Sequence, residues 1–110
     1  MLRKILLLTI LPFFLFAYNE ANVAKGQTYY KFIIYPMLNI KGDEFTKLYT
    51  KKQWEELFLN NAQGLKQKYA SNKKFCQFLD TEKFETIQPY LKSFVLYYAK
   101  DSKVVAQCSE

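Results

Sequence analysis

The sequence predicts an all-α fold: a small, orthogonal helical domain of three to five helices behind an N-terminal export signal. Three observations carry this. Apolar side chains recur at three- and four-residue spacing in separate stretches of the chain. Cap residues stand where several of these stretches begin. With 3 Gly and 3 Pro among 110 residues, the chain is poor in the turns that hairpins need.

The first seventeen residues, MLRKILLLTILPFFLFA, are set apart from the fold. Arg3 and Lys4 precede an apolar run from Ile5 to Phe16, and Ala17 offers a small residue for cleavage. This is the secretory signal pattern. A membrane anchor is the competing reading, but such a helix needs roughly 20 apolar residues, and Pro12 interrupts this one. The expected mature chain is a single domain, 18–110, in the periplasm or secreted. Loss of Arg3 and Lys4 takes the formal charge from +6 to +4. All remaining cations are Lys, a point charge ill suited to bidentate recognition of phosphate or bases, so no nucleic-acid role is expected.

The first helix is expected over 19–35. Asn19 or Asn22 caps it, and Gly26, Tyr29, Tyr30, Ile33 and Ile34 share a face. A strand over Tyr29–Tyr35 competes, because Tyr, Phe and Ile favour strands. Pro36 is expected to close the helix. A loop follows over 36–49. Thr50 and Gln53 form a capping box for the next helix, with Trp54, Leu57 and Phe58 as its apolar stripe. Asn60-Asn61 and Gly64 weaken its far end, and Leu65 and Tyr69 extend it by a turn or two. Phe75, Phe78 and Leu79 mark a short helix around Cys76. In the last helix Thr86 caps, Pro89 occupies the first turn, and Tyr90, Leu91, Phe94, Val95 and Tyr98 line one face. Residues 101–110 read as polar and irregular.

Cys76 and Cys108 are the two cysteines. In an oxidising compartment they suggest one disulfide, worth roughly 3–4 kcal/mol by loop entropy. A reactive thiol pair is the alternative, without the Cys-x-x-Cys spacing that redox catalysis favours.

The opening segment Ala24-Lys25-Gly26-Gln27-Thr28-Tyr29-Tyr30, with the order of helices behind it, resembles the class I cytochrome c domain. Further likeness lies in 44–54, in Tyr97 to Ser102 and in the cysteine-bearing tail, which are similar to a small group of exported bacterial cytochrome c-like proteins. The resemblance implies that Gly26 and Tyr30 meet the face formed by Leu91, Phe94 and Tyr98, with Trp54 also in the core. It also implies haem-linking cysteines at 34 and 37 and an axial histidine at 38. This chain has Ile34, Met37 and Leu38 there, and no His anywhere. Covalent haem needs the thiols and the iron needs a strong axial ligand.

Other chemistry is sparse. Without His, the commonest general acid–base group and zinc ligand is missing. The acid pairs Asp43-Glu44 and Glu55-Glu56 read as solvated surface. No enzyme, cofactor or metal is expected. The expected function is a haem-free, cytochrome c-like interaction or accessory module that binds another exported or membrane protein, with Lys51-Lys52 and Lys73-Lys74 as docking charges. One alternative is an electron carrier holding haem non-covalently through Met37 or a Tyr. A weaker one is a thiol redox protein. Side chains are expected to fill the space of the haem; the functional version is an apolar cleft near Ile34, Met37, Leu38 and Trp54 that takes a small apolar ligand or a partner's side chain.

Overall fold

A computed structural model describes residues 20–103 of the chain. The expected signal segment 1–17, Asn19 and Cys108, with the expected Cys76–Cys108 disulfide, lie outside the described residues.

The described residues are helical, with no strand among them. α1 (Glu20–Tyr29) runs through a π-helical stretch (Tyr30–Ile34) into α2 (Tyr35–Leu38), and the three form one rod. Then come α3 (Gly42–Thr46), α4 (Lys51–Lys68), α5 (Lys73–Leu79) and α6 (Glu82–Tyr97). The strand alternative for Tyr29–Tyr35 gives way to this helical continuity.

Pro36 does not end the first helix, contrary to expectation. A proline ring clashes with the carbonyl four residues back in a regular helix. The wider π register, in which the Tyr35 N–H donates to the Tyr30 carbonyl, makes room for it. The rod stops instead at Asn39, whose φ of 60° is left-handed and whose N–H donates to the Tyr35 carbonyl at 2.7 Å. The expected loop also contains α3, behind which Phe45 and Thr46 are buried.

The Thr50 capping box is present: the Gln53 N–H donates to Thr50 Oγ1 at 3.2 Å, and the Thr50 N–H to Gln53 Oε1 at 2.9 Å. α4 is not one straight helix. Asn60, Asn61 and Ala62 have φ of 53°, 62° and 62°, a left-handed turn that reverses the chain. Asn tolerates this region better than most residues. The reversal presses Gly64 onto Leu57, where an added Cβ would lie 2.8 Å from the Leu57 Cα. Gln88 Nε2 donates to the exposed end of the first half, the Phe58 carbonyl, at 3.4 Å.

The last helix begins earlier than expected. Thr81, not Thr86, caps it, accepting from the Phe84 N–H at 3.2 Å. Thr86 instead donates to the Glu82 carbonyl within the helix. Pro89 therefore sits in the interior of α6. It and Glu85, the carbonyl it deprives of a partner, are both on the exposed side, where water replaces the lost bond.

α1 and α6 cross at Gly26. A Cβ there would lie 2.0 Å from the Tyr90 carbonyl oxygen and 2.7 Å from the Phe94 Cβ. The helices touch backbone to backbone because residue 26 has no side chain. Beyond the crossing, the Tyr30 ring stacks on Phe45 at 4.7 Å and tilts against Phe94 at 5.8 Å. Trp54 is fully buried, edge-on to Tyr49, with Nε1 donating to the Thr46 carbonyl at 3.1 Å. Leu91 and Phe94 are buried beside it in one core with Phe58, Leu65, Phe75 and Phe84, and Tyr98 packs on the edge. After α6 the chain is tied back to the start of α4. The Lys100 N–H donates to the Tyr49 carbonyl, and Asp101 Oδ1 accepts from the Lys51 N–H at 3.0 Å.

Candidate functional site: a groove beside the π-helical stretch

Ile34, Met37 and Leu38 do not assemble a site. Ile34 is core. Met37 and Leu38 are half-buried. The Met37 carbonyl accepts from Asn72 Nδ2 at 3.0 Å, so this end of the rod is clamped to α5, whose first turn the same Asn72 caps. The interior beside Ile34, enclosed by Tyr30, Phe45, Phe58, Leu65, Phe75, Phe84, Leu91 and Val95, retains a void of about 10 Å³. That is about the room one water needs and far too little for a haem. Without thiols or imidazole at 34, 37 and 38, and with Phe and Leu rings and branches filling the interior, these residues do not fit a c-type haem. Side chains occupy this space, and the alternative reading, an apolar cleft near Ile34, Met37, Leu38 and Trp54, is not seen there.

The open space lies on the other side of the same rod. A groove of about 540 Å³ runs beside the π-helical stretch. Ala24, Gln27 or Thr28, Lys31 and Tyr35 follow one another at helical spacing along it, and Phe32 extends the wall. Lys41 and Gly42 belong to the segment that opens α3, and Tyr30 and Phe94 form the buried floor. The Tyr30 hydroxyl donates to the Ile40 carbonyl, which fixes the Lys41 segment against that floor. Phe32 is 68 % exposed, and the Lys31 ammonium stands over its ring at 5.5 Å. Among the described residues neither Lys31 nor Lys41 pairs with a carboxylate.

Sequence reasoning missed this groove. It followed the apolar face of Gly26, Tyr29, Tyr30, Ile33 and Ile34 and left Phe32 unread. The available signal was Pro36, four residues after Phe32: widening before the proline is one way a helix continues through it, and widened turns favour functional sites.

The other flagged groups are separate. Cys76 is half-buried, and its thiol donates to the Tyr69 carbonyl at 3.1 Å. Burial, then the nearby Tyr49, pushes the Tyr69 hydroxyl up from 10.0 to about 12. Glu55 pairs with Lys92 at 3.1 Å, while Glu56 is exposed. Asp43 and Glu44 occupy the first turn of α3. No cluster of three His, Cys, Asp or Glu suited to a metal occurs among the described residues, and no helix there is long and apolar enough to cross a membrane.

No family model, no curated protein and no solved structure matches this chain.

Proposed function

We propose that this chain is an exported, haem-free, non-enzymatic accessory module on a cytochrome c-like frame. It docks on an acidic surface of another exported or membrane protein. The observation that carries the docking is the position of its lysines. Lys51-Lys52 open α4 and Lys73-Lys74 open α5, and neither first turn holds an acidic residue. A helix N-terminus already carries partial positive charge, so cations there oppose folding by roughly 0.3–1 kcal/mol each. Lys52, Lys73 and Lys74 are exposed, where they are accessible to a partner. At α4 the Asp101 carboxylate, accepting from the Lys51 N–H, offsets that cost; the α5 first turn holds no acidic residue, and the exposed Lys73-Lys74 pair there favours recognition over stability. The filled interior beside Ile34 supports the haem-free part, and the apolar leader supports export.

Charge reversal tests this directly. Lys73→Glu/Lys74→Glu is expected to raise thermal stability slightly, because acidic residues suit helix starts, whereas Lys51→Glu/Lys52→Glu, beside the Asp101 carboxylate, is expected to leave it about unchanged. The same variants are expected to lose the native complex in the exported fraction, seen as a smaller species in native electrophoresis or gel filtration. Variants that keep the complex, or a wild-type chain that runs alone, contradict the docking.

A further inference from the structure

Beyond the docking of a partner protein, we propose that the groove beside the π-helical stretch is a binding site for a small amphiphilic anion: a carboxylate on an aliphatic or aromatic tail. Its size is the first argument. About 540 Å³ falls within the roughly 300–1,000 Å³ typical of small-molecule sites. It far exceeds the void of about 10 Å³ beside Ile34.

Its lining is the second argument. Buried Tyr30 and Phe94 make an apolar floor, and Phe32 and Tyr35 add rings at the wall. A tail laid there covers aromatic surface that is otherwise wet, including most of the Phe32 ring. Among the described residues, the charged groups of the lining are Lys31 and Lys41, with no carboxylate. Asp43 and Glu44 follow in sequence but do not line the groove. Lys31 rises from the π-helical stretch and Lys41 from the segment opening α3, so the cations come from two elements that Tyr30 ties together through the Ile40 carbonyl. Long lysine stems let both ammonium groups swing toward one head group while their methylenes flank the tail. Rings below and cations above recognise an amphiphile with a negative head; they do not favour a cationic or purely apolar one. A protein segment is the less suited occupant, because the depression has the volume of a small molecule and lies beside the rod, with no sheet edge for an extended chain to join.

The test uses the exported protein with decanoate as probe, followed by calorimetry and by displacement of the fluorescent anion 8-anilinonaphthalene-1-sulfonate. Decanoate is expected to bind saturably at one equivalent. Decanol should bind about tenfold more weakly, as should decanoate to the Lys31→Glu/Lys41→Glu variant, since two exposed ion pairs contribute about that much. Butyrate, which has the charge but little tail, should not compete. Both lysines are exposed, so the variant is expected to melt with the wild type, and circular dichroism checks this. The proposal is overturned by any of three results: no saturable decanoate binding, equal binding of decanol, or a folded variant that binds decanoate unchanged. Binding of butyrate as tight as decanoate also overturns it, leaving only a site for simple anions. The docking lysines lie on other helices, so failure here leaves the partner complex unaffected, and loss of that complex leaves this result standing.

Discussion

Tyr69 shows how one side chain couples packing to pH. Its ring meets Phe75 edge-on at 5.3 Å, and its carbonyl receives the Cys76 thiol. Burial, with Tyr49 as the lesser cause, raises its hydroxyl to about 12 from 10.0. The neutral form is therefore the one the fold favours. Below pH 10 both folded and unfolded chains keep the proton and its full contribution is present. Between about pH 10 and 12 the unfolded chain loses the proton first, so stability falls as pH rises through the folded value. Tyr69→Phe is expected to remove that share of the alkaline loss. Urea unfolding of both proteins at pH 9, 10.5 and 11.5 measures it. Parallel pH curves would show that Tyr69 titrates normally.

At the scale of elements, the contact between α1 and α6 decides the architecture. Gly26→Ala puts a methyl group against the Tyr90 carbonyl and the Phe94 Cβ, neither of them the loose end of a side chain. The helices must part, and every layer beyond, including the Tyr30–Phe94 contact, loosens. Destabilisation of about 1–3 kcal/mol is expected, as for other overpacked sites, and equilibrium denaturation reads it. A neutral substitution would mean that the crossing is looser than described. Much of this level was legible in the sequence. The spacing of Gly26 and Tyr30, the Thr50–Gln53 box and the stripe Trp54, Leu57 and Phe58 are local patterns, and local physics produces them. What was not legible depends on tertiary context. Pro36 and Pro89 read as boundaries, yet both lie within continuous helical segments. One is accommodated by a π register and the other by solvent beside Glu85. Asn60-Asn61 signalled weakness but not a full left-handed reversal, which also recruits Ala62 and is completed by Gly64 against Leu57 and Gln88 on the Phe58 carbonyl. The groove escaped for the same reason: it exists only once the rod, the segment at Lys41 and the floor from α6 are assembled.

For the whole molecule, one rod serves both the core and the groove, with Tyr30 between them. Its inward side gives Ile34 and Tyr30 to a filled interior, and its outward side gives Lys31, Phe32 and Tyr35 to a groove. The lysines that open α4 and α5 add a second set of charges, at helix starts. The central claim is the proposal of a cytochrome c-like frame that works without haem. It is tested most directly by producing the protein through an export route with an active haem-maturation system, purifying it by gel filtration and recording the visible spectrum. The account predicts a protein without a Soret band, both as purified and after added haemin is passed through a second column. A stoichiometric Soret band that survives that column would contradict it.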